Sequence, residues 1–248
     1  MAGSGLESLG FISGHDIQHR NLANQKQYEA FTYFDWAKNL LTQVTPVVLA
    51  EVVPKLEEYS GRWNPGGFMV FPLGLTKDGS SLRLHVSAAG LPRDVLNGPF
   101  IHNHGWHLTS RVLAGVYSDR IVDVQKQYSA VATDPENGLL RLYETNRNPN
   151  GLDILETDGT IVKATPIRNR VVQAGEFHTI EALNIYHIPT TPSEHLAATL
   201  VLDSPSFTNT THVLLNNSEP ITIERVRKPL KPESIAIAKE QLGRITHL

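Results

Sequence analysis

The sequence contains no cysteine among its 248 residues. This absence excludes disulfide bonds, thiolate metal sites and a cysteine nucleophile together. Any metal ion must therefore be held by His, Asp or Glu side chains. The 11 histidines are the first residues to consider for such a role.

Long apolar runs and strong net charge are also lacking. No segment approaches the ~20 apolar residues that span a bilayer, and the first thirty residues show no basic region followed by an apolar run. The formal net charge is −3, and no Lys/Arg run favours nucleic acid or an anionic membrane as a partner. We therefore expect a soluble, cytoplasmic protein that binds a small molecule.

The two ends of the chain carry helical patterns. Apolar residues recur every three or four positions over residues 27–44, which predicts an amphipathic helix. Thr45 and Pro46 resemble an N-cap followed by proline at the first helical position, which predicts a second helix. Residues 232–242, closed by Gly243, predict a short C-terminal helix.

The middle of the chain has the character of a β protein. Short β-rich segments alternate with turn sequences such as Asp158-Gly159, which favours an all-β barrel or jelly roll over a βαβ fold. We expect residues 1–248 to form a single domain, with a helical extension (1–65), a barrel (66–218) and a C-terminal segment with a helix (219–248). The predicted strands are 68–75, 82–88, 99–104, 110–117, 120–124, 139–144, 153–156, 160–164, 170–172, 178–182, 197–202 and 212–215.

A His-x-His pair, His102 and His104, is the strongest functional signal. Side chains at i and i+2 of a β-strand point to the same side, so one strand can offer two imidazole ligands to one ion. A third histidine, His178, follows Gly175 far downstream. These three residues are the predicted metal ligands.

The two histidine motifs resemble those of the cupin superfamily. In cupins the first motif begins His-x-His and ends at a glycine, here Gly115, and the second ends Gly-x-x-His, here Gly175 to His178. The resemblance covers about residues 68–207. It implies a cupin-type jelly-roll β-barrel that holds a metal ion. Cupins often dimerise through outer strands, so the resemblance leaves a homodimer open.

One departure from the cupin pattern bears on the metal. Leu108 and Thr109 occupy the positions where a cupin usually places a glutamate ligand. Three neutral imidazoles would remain, which suits Fe(II) that binds substrate and O₂ together. Within the cupins, this arrangement is similar to that of cysteine dioxygenases.

The substrate pocket departs from that subfamily. Cysteine dioxygenases carry a Ser-x-His-x-Tyr trio where this sequence has Thr199, Val201 and Asp203, and their cross-linked cysteine is absent. No arginine matches the one that grips the substrate carboxylate. Arg83 and Arg111 are the candidates for that role, with Arg83 preferred.

The sequence leaves the role of one further histidine undecided and is compatible with three functions. His107 is a candidate acid/base or alternative ligand. The leading hypothesis is a mononuclear non-heme Fe(II) dioxygenase that oxidises a small polar substrate, above all a thiol amino acid such as cysteine, with a product other than a simple sulfinate left open. The alternatives are an O₂-independent isomerase or lyase using Ni, Zn or Mn, and a metal-free binding or structural cupin.

Overall fold

A computed structural model describes most of the chain. The described residues are 5–13, 30–91, 100–127, 139–147, 152–190, 194–208, 210–216 and 218–245. The sequence also predicts turns at 134–138 and 146–151; the first, and residues 148–151 of the second, lie outside the described residues. None of the helices in these ranges combines the length and the apolar character needed to cross a membrane.

The helices pack together beside one sheet. They are α1 (Gly5–Ser8), α2 (Ala30–Val47), a π-helical turn (Val48–Val52), a 3-10 segment (Val53–Glu58) and α3 (Pro232–Gly243). The amphipathic pattern predicted α2 well, since its buried residues Tyr33, Ala37, Leu41 and Val44 recur at helical spacing. The C-terminal helix is confirmed as α3.

The prediction of a new helix at Thr45 was wrong. Helix α2 continues through Pro46, and Thr45 is buried within it. The Thr45 hydroxyl donates a hydrogen bond to the Leu41 carbonyl at 2.6 Å, one helical turn back, instead of capping a helix start. Pro46 lacks a backbone N–H and so removes one helix hydrogen bond, and regular α-helix ends at Val47, where the π-helical and 3-10 turns follow.

The described residues form fifteen strands in two antiparallel sheets. A seven-stranded sheet has the order β1-β3-β4-β13-β6-β11, with β2 paired to β3, and an eight-stranded sheet has the order β10-β7-β12-β5-β14-β8-β9-β15. The strands are β1 (Ile12–Ser13), β2 (Arg62–Trp63), β3 (Met69–Leu75), β4 (Ser81–Ser87), β5 (Ile101–His102), β6 (Leu108–Ala114), β7 (Val116–Gln127), β8 (Leu139–Arg147), β9 (Leu152–Glu156), β10 (Ile161–Gln173), β11 (Phe177–Ile180), β12 (Tyr186–Thr190), β13 (Ala197–Asp203), β14 (Thr210–Leu215) and β15 (Thr222–Val226).

Alternation along the strands gives the seven-stranded sheet two different faces. On β4, Leu82 and Leu84 join the core formed with α2, whereas Arg83 and His85 line a cavity on the other face. The main apolar core therefore lies between the helices and this sheet. The second face is left for the polar groups of the site.

The expected β-rich architecture with an N-terminal helix and a short C-terminal helix is confirmed. Three of the fifteen strands come from outside the predicted barrel range, since β1 and β2 lie before residue 66 and β15 lies after residue 218. Four strands, β1, β2, β12 and β15, were not predicted at all. Strand β12 carries a residue of the site.

Candidate metal centre

Three buried histidines come together in the structure: His102, His104 and His187. Each offers one ring nitrogen, and the three nitrogens lie within 4.8 Å of one another. The exposed fractions of these residues are 7%, 7% and 3%. Three inward-facing imidazoles at this spacing could hold one metal ion.

Strand pairing brings His102 and His187 together. Strand β5 pairs with β12 antiparallel, and His187 is the direct cross-strand partner of His102. Their ring centroids are 4.5 Å apart, so the two imidazoles are in direct contact across the strands. The third imidazole must then come from the chain just beyond β5.

The Asn103 side chain holds the segment after β5 in place through hydrogen bonds. Its Nδ2 atom donates a hydrogen bond to the Leu183 carbonyl at 3.1 Å, and its Oδ1 atom accepts one from the His212 backbone N–H at 2.7 Å. The Leu183 N–H donates to the His104 carbonyl at 2.7 Å. Although His104 lies outside the regular strand, these bonds hold its backbone beside β12.

Hydrogen bonds to Nδ1 orient two of the three rings. His102 Nδ1 lies 3.3 Å from the Phe100 carbonyl oxygen, and His187 Nδ1 lies 2.7 Å from Oδ1 of Asp119. Each oxygen accepts, so Nδ1 is the donor of each ring. Such partners fix the tautomer in which imidazole binds a metal through Nε2.

The spacing of His104 and His187 fits shared coordination. Their Nε2 atoms lie 3.0 Å apart. Zinc–imidazole bonds of about 2.0–2.1 Å place two neighbouring ligand nitrogens about 3 Å apart. The donor set is therefore chemically suited to a divalent ion. Three imidazoles do not specify which metal it is.

His178 is not a member of this group. It lies on β11 in the other sheet, paired with Ser110. Its Nε2 atom is 2.8 Å from Oδ2 of Asp119, and its Nδ1 atom is 3.4 Å from the Ser110 hydroxyl. Both ring nitrogens already have hydrogen-bond partners, and His187, instead of the predicted His178, lies together with His102 and His104.

Asp119 links the two histidines. It lies on β7, is 1% exposed and also accepts a hydrogen bond from Nη2 of Arg170 at 2.7 Å. Burial alone would raise the pKa of this carboxyl group, but hydrogen bonds from His178 and His187 outweigh burial and hold the pKa well below its ordinary value. Asp119 is therefore ionised, as a carboxylate that orients imidazoles must be.

The three histidines line a cavity between the sheets. Its wall near the histidines includes Trp106, Leu108, Ser110 and Tyr117. The rest of the wall mixes apolar side chains, such as those of Phe68 and Val70, with a set of polar ones: Arg62, Arg83, His85, Thr145, Asp153, Thr199, Arg225 and Arg227. A ligand bound there would meet both the imidazoles and several guanidinium groups.

The structure places the two candidate arginines differently. Arg83 lines the cavity but forms an ion pair with Asp203, so the protein already supplies the anion that a buried arginine needs. Arg111 stacks on Phe177, with its Cζ atom 5.6 Å from the ring centroid. Neighbouring residues of a strand point to opposite faces of the sheet. Ser110 on β6 faces the cavity, so the next residue, Arg111, faces away from it and is not part of the cavity wall.

His107 is not brought to the cavity wall either. Its ring packs against Tyr33, Phe34 and Phe207, and its Nδ1 atom accepts a hydrogen bond from the Ala182 N–H at 3.0 Å. Burial lowers the pKa of this histidine. Its contacts are those of a core residue that joins α2 to the sheet.

Sequence reasoning missed His187, Asp119 and Arg170. The segment Tyr186-His187-Ile188 alternates as a strand should, but Pro189 follows directly and argues against a central strand. Comparison of the chain with protein-family models and with curated proteins returns no match.

Proposed function

We propose that this protein is a mononuclear non-heme Fe(II) dioxygenase acting on a small polar substrate. The observation that carries the proposal is the buried three-histidine group, which lines a cavity that also has polar side chains in its wall. In the same proposal, the two antiparallel sheets form a cupin-type jelly roll. Thiol amino acids such as cysteine are the first substrates to test, because of the resemblance to cysteine dioxygenases.

The donor set supports redox chemistry with O₂. The group holds no carboxylate among its members, so a divalent ion would keep most of its charge and some open positions. Fe(II) held in this way supplies a place where a substrate and O₂ can meet. His102, His104 and His187 would hold the ion, and Asp119 would keep the His187 ring oriented.

The walls near the histidines would limit access by water. Trp106, Leu108, Val201 and Val213 are each less than 8% exposed and line the cavity with apolar atoms. The Trp106 ring centroid is 5.1 Å from that of His104. An apolar surround beside polar anchoring groups is the usual composition of a small-molecule site.

Oxygen consumption tests the proposal. Protein reconstituted with Fe(II) under nitrogen and given cysteine, homocysteine or a related thiol acid should consume O₂ when air is admitted, with a matching mass change in the product. His187→Ala should lose this activity, whereas His195→Ala, at an exposed position in the described chain, should retain it. Iron-loaded protein that consumes no O₂ with any thiol would remove the thiol assignment.

The same samples separate the alternative functions. Turnover under nitrogen with bound Ni, Zn or Mn would identify an isomerase or lyase that uses the ion as a Lewis acid. Purified protein with no stoichiometric metal, and no thermal shift on adding Fe(II), Ni or Zn, would identify a metal-free binding protein.

A further inference from the structure

We propose that Ser110, His178 and Asp119 form a nucleophilic triad at the wall of the cavity, and that this triad hydrolyses small carboxylic esters without a metal ion. In this proposal Ser110 is the nucleophile, His178 is its general base and Asp119 is a positioning residue. The activity is separate from the proposed oxygen chemistry. Metal-free protein therefore tests it alone.

Strand pairing places the serine and the histidine side by side. Ser110 on β6 is the direct cross-strand partner of His178 on β11, so both side chains project from the same face of the sheet. The Ser110 hydroxyl lies 3.4 Å from Nδ1 of His178. Contacts between a nucleophile and its base are often this long before substrate binds, and they tighten in the complex.

The carboxylate lies on the far side of the imidazole. Nε2 of His178 donates a hydrogen bond to Oδ2 of Asp119 at 2.8 Å. Arg170 donates to the same oxygen through Nη2 at 2.7 Å and to the Thr179 carbonyl through Nη1 at 3.0 Å, which fixes the carboxylate. Asp119 thereby orients the imidazole with Nδ1 toward the serine, which is the role of the third member of such a triad.

The ring of His178 is neutral at pH 7. Burial lowers its pKa more than the hydrogen bond to Asp119 raises it, and the Arg170 guanidinium, with Nη2 2.9 Å from Nε2, lowers it further. With the proton on Nε2 beside the carboxylate, Nδ1 keeps its lone pair. That atom can then take the proton of the Ser110 hydroxyl.

Ser110 is the member of the triad that meets the cavity. Its side chain is part of the cavity wall, whereas His178 and Asp119 are not part of that wall. The exposed fractions of the three residues, in the same order, are 3%, 2% and 1%. A substrate in the cavity would thus meet the hydroxyl first, with the base directly behind it.

Tyr117 can stabilise the negative charge that forms on the ester carbonyl oxygen. It lines the same cavity, and its ring packs edge-on against that of His178, with the centroids 5.0 Å apart. Burial and the nearby charge of Asp119 raise the pKa of Tyr117 well above its ordinary value, so its hydroxyl stays protonated and can donate. Donors aimed at a developing oxyanion typically contribute about 10²–10³ in rate.

The hydrolysis balances in two steps. The Ser110 oxygen bonds to the ester carbonyl carbon and its proton moves to Nδ1 of His178; the bond from that carbon to the alcohol oxygen breaks, and the proton leaves with the alcohol. Water then attacks the acyl group on the serine and passes a proton through His178 to the departing Ser110 oxygen. The products are a carboxylic acid and an alcohol, and no oxidant takes part.

Covalent labelling tests the nucleophile. Metal-free protein, prepared with EDTA and dialysis, is incubated with diisopropyl fluorophosphate, in which a serine oxygen displaces fluoride from phosphorus. We expect an adduct on Ser110, located by peptide mass spectrometry, that blocks the release of p-nitrophenolate from p-nitrophenyl acetate. Ser110→Ala and His178→Gln should each slow both reactions at least about 100-fold. Ser118→Ala, at a partly exposed serine on β7, should leave both rates unchanged.

A cysteine in place of the serine reports on the base even where the alanine variant fails to fold. Because the chain has no cysteine, Ser110→Cys and Ser118→Cys each carry one thiol. Nδ1 of His178 should take the proton of the thiol at position 110 and leave a reactive thiolate. Iodoacetamide should therefore modify Ser110→Cys at least about tenfold faster than Ser118→Cys at pH 7. Adding His178→Gln should remove this difference, whereas adding Tyr117→Phe should keep it.

Two results would overturn the triad: folded wild-type protein that takes up no label at Ser110, or labelling that His178→Gln leaves unchanged. The outcomes also separate the two proposals. Labelled Ser110 in a protein that consumes no O₂ with any thiol would remove the dioxygenase and leave the hydrolase. O₂ consumption by a protein whose Ser110 takes up no label would remove the hydrolase and leave the dioxygenase.

Discussion

The Nδ1 atom of His187 lies 2.7 Å from Oδ1 of Asp119, and the other oxygen of the same carboxylate lies 2.8 Å from Nε2 of His178. On the strand pair β7–β12, Asp119 is opposite Pro189 and so lies diagonal to His187. One buried carboxylate thus positions a histidine from each sheet. This relationship explains why His187, rather than His178, joins the pair at His102 and His104.

Removing the charge of Asp119 should weaken metal binding without removing a ligand. An asparagine in its place can still accept a hydrogen bond from His187, but it no longer raises the basicity of the ring. Because partners of metal-bound histidines typically contribute 10–100-fold in affinity, we expect Asp119→Asn to bind metal about ten times more weakly. Competition with a chromophoric chelator measures the change, and an unchanged affinity would contradict the role given to Asp119.

The stability of the metal-free protein should fall as the pH is lowered from 7.5 to 5. Burial lowers the pKa values of His85 and His107 in the folded state. A group with a depressed folded pKa contributes fully above its unfolded pKa, about 6.5 for histidine, and loses this contribution as the pH falls toward the folded value. The free energy of unfolding in urea, measured at several pH values, checks the slope. A value that rises toward pH 5 would show that these histidines gain charge on folding.

Gly115 should be among the least replaceable residues of the sheet. Its φ is +68°, and a Cβ atom there would lie 2.0 Å from the Leu196 carbonyl oxygen. Gly159 also has a positive φ, of +90°, but no heavy atom lies within 4 Å of the corresponding position. We expect Gly159→Ala to cost about 1 kcal/mol from backbone strain alone, and Gly115→Ala to cost clearly more. Equal midpoints of urea unfolding would contradict this difference.

The ion pair between Arg83 and Asp203 should be structural. Breaking a buried pair typically costs about 3–5 kcal/mol, whereas replacing both members with apolar residues is often neutral. We therefore expect Arg83→Leu to be strongly destabilising and Arg83→Leu with Asp203→Leu to recover most of the loss. Urea unfolding of the two single variants and the double variant measures the coupling. If the losses in the two single variants simply add, Arg83 is free to serve as the substrate anchor instead.

Local patterns predicted the parts of the fold that depend on local spacing. The apolar residues of α2 recur at helical intervals, and the His-x-His pair needs only one short segment to place two imidazoles together. The long strand β10 was predicted as two strands, 160–164 and 170–172, on either side of Pro166. In the structure the strand continues past Pro166, because its pairing with β7 shifts register between Pro166 and Arg168. The local sequence alone does not reveal this pairing.

The third histidine depends on contacts between distant segments. His187 is separated from His102 by 85 positions in the sequence, and only the pairing of β5 with β12 makes them neighbours. Asp119 and Arg170 become relevant only through that same arrangement. The Gly175-x-x-His178 motif placed a histidine near the site, but its hydrogen bonds to Asp119 and Ser110 engage both ring nitrogens.

The measurement that tests the metal centre most directly is metal content after reconstitution with Fe(II) under nitrogen and removal of free ion. Wild type, His178→Ala and the exposed control His195→Ala should each retain close to one ion per chain, with weaker affinity in His178→Ala because Asp119 loses a partner. His102→Ala, His104→Ala and His187→Ala should retain none. A His187→Ala protein that is folded and fully loaded, beside an empty His178→Ala protein, would contradict the assignment and return His178 to the metal.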